Sequence, residues 1–511
     1  MSNLDIALNG FALAMQPANF FYIVLGCFLG TVVGILPGLG PSAGMALLIP
    51  VVFGMEPSSA LMMIAAIYYG AMYGGSATSI LLNTPGESSS VMTTLDGYQM
   101  AKRGRAGAAL AVAAIGSFIA GTIGIVLLSV LARPLAQLAL QFGPPEYFTL
   151  MVFAMLSAAA LGGRSVARGL LSLLLGLIIS TIGIDLQSGL PRFTGGQAQL
   201  LDGVDFIFAA VGLFALSEVF VSLENHFRTR VEVMRIQGKL WLTREEWRRS
   251  VFPILRGTGI GFIKGVLPGG GATIATMLSY SLERALSKDR RKFGTGMIEG
   301  VAGPEAANNA ATAGSMVPLL ALGLPGSGAT AVLLGAFVIL GVQPGPLLMS
   351  QHPDLFWGLV NSMYIGNIVL FVMNLPLIFL FVQLLRVPTG ILFPLIIAIS
   401  SIGVFAVNGS AFDLYVVFGF GLLGYAFRKL DIPSAPLVLA LVLGGLMEQS
   451  FRQSMTISGA ELSIFTSSGI AIFFLVLSMV ALLAALLVPV YIKARAKGDE
   501  IAGTLQQEGG T

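Results

Sequence analysis

Apolar runs long enough to cross a bilayer recur along this chain, and lipid allows such runs very few folds. With no water to pair its N–H and C=O groups, a membrane-spanning backbone must be helical or close into a barrel. The runs lie near residues 108–132, 146–162, 169–185, 204–223, 355–385, 390–406, 411–427, 434–448 and 467–491. They have the length of helical spans rather than of the roughly 9–11-residue strands of a barrel. Only 10% of the 511 residues are charged, against about 25% in soluble domains. Such a chain cannot clothe a water-facing surface, so the fold class is an all-α polytopic membrane protein. The N-terminus, MSNLDIALNGFALAMQ, has no basic n-region and no small-residue cleavage site, which argues against a removable signal peptide. A single cysteine, Cys27, leaves no internal disulfide and no multi-cysteine metal site.

Orientation follows from where the basic residues fall. They cluster in KRGR (102–105), RSVAR (164–168), the loop 225–256, KDRRK (288–292), Arg386, the RK pair (428–429) and KARAK (493–497). The positive-inside rule puts these segments in the cytoplasm, with the C-terminus. The N-terminus and the segments 186–203, 343–354, 407–413 and 449–465 carry only Arg192 and Arg452 and are placed outside. The basic segment between the halves, with Trp241 and Trp247, reads as interfacial on an anionic leaflet. It gives no reason to invoke nucleic acid.

The chain repeats itself. GILPGLGPSAGMALLIP, from Gly34, has a counterpart in GVLPGGGATIATMLSYS, from Gly265; LLNTPGESSSV (81–91) is echoed by LGLPGSGATAV (322–332). Wherever one half carries a cytoplasmic charge cluster, the matching position of the other half lacks it. KRGR corresponds to uncharged QPGPLLMSQHPD, and KDRRK to GMEP. Two similar halves of opposite orientation form an inverted-topology repeat, an architecture of secondary transporters. The expected organisation is a first repeat over 1–224, a basic linker over 225–250, a second repeat over 251–466, an additional span over 467–492 and a tail over 493–511.

Each repeat holds two Pro-Gly elements, near 37–40 and 84–90 in the first and near 268–271 and 325–330 in the second. Gly and Pro are the residues least suited to a continuous helix. Broken backbone survives in a membrane only inside protein or against a water-filled cavity. Each element therefore reads as a broken or re-entrant helix, whose free N–H groups suit carboxylates and whose exposed oxygens suit a hard cation. A packing kink is the plainer alternative for any one element, and pairing across a repeat weighs against it.

GILPGLGP, YYGAMYGGSATSILLNTPGESSSVMTTLDGYQMAKRGRAGAAL, GVLPGGGATIA and EGVAGPEAANNAATAGSMVPLLALGLPGSGATAVLLGA closely resemble the large membrane subunit of tripartite tricarboxylate transporters. The likeness runs over about residues 15–490. It implies a multi-pass protein of the bacterial inner membrane, its N-terminus periplasmic. The implied partners are a small four-span membrane subunit and a periplasmic solute-binding protein. The implied activity is import of citrate or related carboxylates, with sodium as coupling ion and no other cofactor.

The residues expected to meet substrate lie at the Pro-Gly tips. They are Gly38 and Gly40; Asn83, Thr84, Gly86, Ser88 and Ser89; Gly269, Gly270 and Gly271; and Ser327, Gly328 and Thr330. Small polar groups there can donate to carboxylates, although Ser, Thr and Asn also serve as helix caps. Lys264 precedes one tip and is either a partner for a substrate carboxylate or a snorkelling lysine. Candidates for the coupling ion are Asn83, Ser90, Glu305, Asn308 and Asn309, since an ionisable or polar residue inside a span is functional by default. Glu87 and Asp96 flank the serine cluster and belong either to a cation site or to a solvated loop. His226 and His352 are too far apart to suggest a metal pair, and no transition-metal site is expected. No nucleophile–base pair, HExxH or aspartate-rich motif points to an enzyme. A passive channel for small organic anions is the alternative to a transporter. Elevator and rocking motions are both compatible with the repeat.

Overall fold

The computed structural model describes residues 3–36, 38–161, 165–185, 187–225, 234, 236, 238–267, 269, 271–384 and 389–487. Gly270, Arg386, His226 with most of the linker, and the tail 493–511 lie outside the described residues. The chain is about four-fifths helical. The first half runs α1 (Asn3–Ala14), α2 (Pro17–Ile35), α3 (Pro41–Val52), α4 (Pro57–Leu82), α5 (Val91–Lys102), α6 (Ala106–Ala139), α7 (Pro144–Leu161) and α8 (Val166–Ser180). A two-residue antiparallel pair follows, β1 (Gly183–Ile184) with β2 (Pro191–Arg192). Then α9 (Phe206–Ala210) runs through a π-helical stretch, Val211–Leu216, into α10 (Ser217–Asn225). The second half has α11 (Arg244–Val266), α12 (Gly271–Leu286), α13 (Glu299–Leu322), α14 (Gly328–Ile339) and α15 (Leu348–Gln351). It continues with α16 (Pro353–Asn374), α17 (Ile378–Leu384), α18 (Thr389–Asn408), α19 (Ala411–Lys429) and α20 (Ala435–Ile457). A last apolar helix, α21, covers Gly469–Leu487. Seven helices among the described residues are long and apolar enough to cross a membrane.

Helix boundaries follow proline chemistry. Pro17, Pro41, Pro57 and Pro353 each open a helix, where the missing N–H costs nothing. Some boundaries differ from the sequence reading. The apolar run 355–385 is two helices, α16 and α17; α20 continues nine residues past 448 to Ile457; and α11 starts at Arg244, inside the stretch read as linker.

All four Pro-Gly elements break a helix. α2 gives way to α3, α4 to α5 through a 3₁₀ turn at Ser88–Ser90, α11 to α12, and α13 to α14. The breaks use matching devices. Gly38 and Gly269 stand at φ +91° and +83°, a region open to glycine. Asn83 and Gly323 close α4 and α13 in the left-handed conformation, as αL helix caps do. At the next position along, the backbone N–H of Glu87 donates to Ser90 Oγ (3.4 Å) and that of Ser327 to Thr330 Oγ1 (2.8 Å).

Packing repeats as well. Gly26, Gly30 and Gly34 let α2 lie against the backbone of α4 at Met63, Ile67 and Ala71; a Cβ at any of them would run into those carbonyls. Gly257, Gly261 and Gly265 do the same for α11 against Gly303, Ala307 and Ala311 of α13. Small residues every fourth position are how membrane helices approach closely, because lipid offers no hydrophobic drive to associate. The two helices thus gripped, α4 and α13, form the buried centre. Around them the halves interlock: α6 packs on α13, α16 on α4, α20 on α7 and α8, and the α9–α10 helix on α19.

The glycine stripe predicts a contrast within α11. Gly261→Ala should lower the thermal midpoint of the purified protein by overpacking worth about 1–3 kcal/mol. Gly259→Ala, whose Cβ would meet nothing within 4 Å, should leave it unchanged or raise it through helix propensity. Equal midpoints for the two variants would contradict the packing.

Candidate functional site

The four breaks meet around one cavity of about 530 Å³. Four helices start at its wall: α3 with Pro41 and Ser42, the 3₁₀ turn leading into α5 with Ser88 and Ser89, α12 with Gly271 to Thr273, and α14 with Gly328 and Ala329. The first N–H groups of a helix have no partner within it, and its N-terminus carries a partial positive charge of about half a unit. The geometry therefore gathers four positive helix ends on one space. The tips are tied to each other. Ser88 Oγ and Thr273 Oγ1 share a hydrogen bond of 2.9 Å, and Gly269 N–H donates to Gly326 O at 3.2 Å.

Two charged side chains line this space, Glu87 and Arg428. Arg428, near the end of α19, pairs with the buried Glu218 of α10 while half of its side chain stays exposed. Glu218 in turn abuts Gly38 so closely that a Cβ there would collide with its carboxylate. The cavity guanidinium, the carboxylate behind it and the first tip therefore form one connected unit. Glu87 has no such partner; its Oε1 accepts from Ser89 Oγ (2.6 Å) and from Asn308 Nδ2 (2.9 Å).

Of the residues singled out in the sequence, Gly38, Gly40, Gly86, Ser88 and Ser89 line the cavity from the first half. Gly269, Gly271, Ser327 and Gly328 line it from the second. Thr330 is buried behind the wall as the cap partner of Ser327. The others are elsewhere. Asn83 is an exposed helix cap, Thr84 bonds back to Leu82 O (3.4 Å), and the half-buried Lys264 of α11 is not among the lining residues. Ser90 caps the 3₁₀ turn. Glu305 is fully buried in α13, with Ser76 and Thr93 hydroxyls on its two oxygens. Asn308 reaches Glu87, whereas Asn309 turns to Ser117 Oγ (2.6 Å). Asp96 is no part of the cavity: buried, it accepts from Tyr280 and from the N–H groups of Gly294, Gly296 and Met297, tying α5 to the loop before α13. Arg428 escaped the sequence reading because RK looked like a topology signal alone, and Glu218 because nothing local marks it.

A second cavity, of about 510 Å³, lies at the end of α8 and along α20. Its two arginines, like Arg428, are in ion pairs, and no helix N-terminus of the Pro-Gly breaks reaches it. Arg192 holds Glu448 at 2.8 Å, and Arg452 holds Asp185 at 2.8 Å. Backbone N–H groups of Ser188 and Gln187, then Arg452, hold the Asp185 carboxyl down at about 2. Three carboxylates, Asp185, Asp202 and Glu448, face two guanidiniums there, so the surplus is negative and unsuited to an anion.

Comparison with known proteins finds relatives over most of the chain. The family described as tripartite tricarboxylate transporter TctA matches residues 20–439. The chain is similar to an uncharacterized 52.8 kDa protein in the TAR-I ttuC′ 3′ region of Agrobacterium vitis, 45% identical over 501 residues, which is 98% of each chain. A second relative, from the TAR-II ttuC′ 3′ region of the same organism, is 44% identical over 241 residues, covering 47% of this chain and 98% of its own length. No solved structure matches.

A labelling experiment tests the cavity. Cys27 is fully buried, so the native protein should resist a water-soluble maleimide in opened membranes. Ser88→Cys, exposed on the wall, should react to completion. A resistant Ser88→Cys, or a native protein labelled as fast, would contradict the geometry.

Proposed function

The chain belongs to the tripartite tricarboxylate transporter TctA family, and from that premise we propose that it is the membrane transport subunit of a cation-coupled importer of tricarboxylates such as citrate or related carboxylates. A soluble binding protein outside the membrane delivers substrate, and a small membrane subunit completes the complex. Sodium is the coupling ion. The observation that carries this reading is the convergence of four helix N-termini and the Arg428 guanidinium on one 530 Å³ cavity. Helix N-termini bind carboxylates through N–H groups and dipole together, and a site of roughly 300–1,000 Å³ suits a small molecule. Arg428 offers the planar fork that matches a carboxylate.

The matching glycine stripes, left-handed caps and tip hydrogen bonds support two inverted repeats, 1–224 and 251–466, working by alternating access. The cavity lies between Ala158 of α7 and Thr273 of α12, while α3 and α14 pack against the π-helical stretch and α20. α5 and α12 lead to KRGR and KDRRK, the clusters assigned to the cytoplasmic side of the bacterial inner membrane. The tips Gly38, Gly40, Gly86, Ser88, Ser89, Gly269, Gly271, Ser327 and Gly328 are then the substrate-contacting set.

The test is uptake of radiolabelled citrate into proteoliposomes holding this chain and its small subunit, with loaded binding protein outside. Accumulation above equilibrium that needs an inward sodium gradient is the expected result. Equilibration without accumulation would mean a channel or another coupling ion. Arg428→Gln should raise the half-saturating substrate concentration about 10–100-fold, the size of a lost charge-assisted hydrogen bond of about 1.5–3 kcal/mol. An unchanged value would remove Arg428 from the site.

A further inference from the structure

Glu87 is out of place in a cavity built for anions. Four positive helix ends and Arg428 favour a carboxylate there, yet Glu87 presents one of its own to the same space. It is buried, and among the described residues no ion pair reaches it. Its partners, Ser89 and Asn308, are neutral. A bare carboxylate at membrane depth is costly unless something positive joins it.

A second, independent observation lies beside it. Asn308 is 0% exposed, and while its Nδ2 donates to Glu87, its carbonyl oxygen Oδ1 has no hydrogen-bond partner. A buried acceptor left open is rare in a folded protein. Here it stands one amide group away from a buried carboxyl group that no ion pair reaches among the described residues. Carboxylate, amide carbonyl and hydroxyl oxygens are the donor set of a hard monovalent cation. Neither Asn308 nor Glu305 lines the cavity itself; Asn308 stands behind Glu87, whereas Glu305, one helical turn before it, has hydroxyls on both of its oxygens.

We propose that Glu87 and the Asn308 carbonyl hold the coupling cation, and that a monovalent cation there is the condition for carboxylate binding at the four helix N-termini. This rests on the transport reading above and names the residues that couple it. With the site empty, the Glu87 charge repels a carboxylate entering the same low-dielectric space. With a cation bound, the repulsion becomes attraction. Each ligand then raises the affinity for the other by the same factor, as linkage requires. Import is coupled because the substrate-bound form without the cation is scarcely populated. The groups facing Glu87 are Ser89 on its own turn, Tyr68 and Met72 of α4, Asn308 and Glu305 of α13, and Arg428 across the cavity.

The experiment compares wild type with Glu87→Gln in citrate counterflow, which needs no ion gradient, using the full chain with its small subunit. One arm varies sodium at fixed pH; the other varies pH without sodium. Wild-type exchange should change about tenfold or more in one arm, a typical coupling; the sodium arm names sodium and the pH arm a proton. In Glu87→Gln, a neutral isostere, that dependence should fall below about twofold. The same cation dependence in the variant, or none in wild type, would overturn the proposal. If Glu87→Gln does not exchange, citrate-induced thermal stabilisation of the purified variant decides. A shift independent of the cation supports the proposal; no shift, or one still requiring the cation, overturns it. Failure of the underlying transport reading is distinct, because wild type would then exchange no di- or tricarboxylate at all.

Discussion

A backbone that breaks inside a membrane must find partners for its N–H and C=O groups, and the rest of this structure is arranged around that need. Lipid supplies none. The chain meets the requirement by bringing four breaks to the same place, so that tip pairs with tip around a shared cavity. Ser327 and Thr330 cap each other, Ser88 meets Thr273, and Gly269 meets Gly326. What would be a defect in one isolated helix becomes, for four together, a polar chamber inside an apolar protein.

Holding the tips in register needs a rigid frame, and the glycine stripes provide it. α2 and α11 can touch the backbones of α4 and α13 only because Gly26, Gly30, Gly34, Gly257, Gly261 and Gly265 lack side chains. Each stripe ends at its Pro-Gly break, so close packing delivers the tip to the chamber. Beyond the breaks α3 still packs on α4 and α12 on α13, while α3 also meets α18 and α14 meets α20.

Much of this was legible in the sequence because it is local. Pro-Gly pairs, caps and every-fourth glycines act within a few residues, and their repetition in both halves marks them as architecture. Gly38, Ser88, Gly269 and Ser327 were found at the chamber wall for that reason. The charges were not legible, because their meaning depends on which distant helix they meet. Arg428 carries the same local signature as any topology-setting cation, and only α10 with Glu218 and the first tip give it another part. Lys264 makes the converse case: one helical turn from a tip in sequence, it is half-buried on α11 and does not line the cavity. Glu305 was one coupling-ion candidate among several, yet Ser76 and Thr93 satisfy it, whereas Glu87, ambiguous in sequence, faces the chamber with no ion pair to it among the described residues.

The central claim is that four helix N-termini jointly hold the carboxylate substrate. An electron cryomicroscopy map of the complex with citrate and sodium addresses it most directly. The account requires ligand density in the chamber of Ser42, Ser88, Thr273 and Ser327, its carboxylates at hydrogen-bond distance, about 2.7–3.2 Å, from first-turn N–H groups. Density instead in the cavity of Asp185, Arg192 and Arg452, with the chamber holding only water, would contradict it.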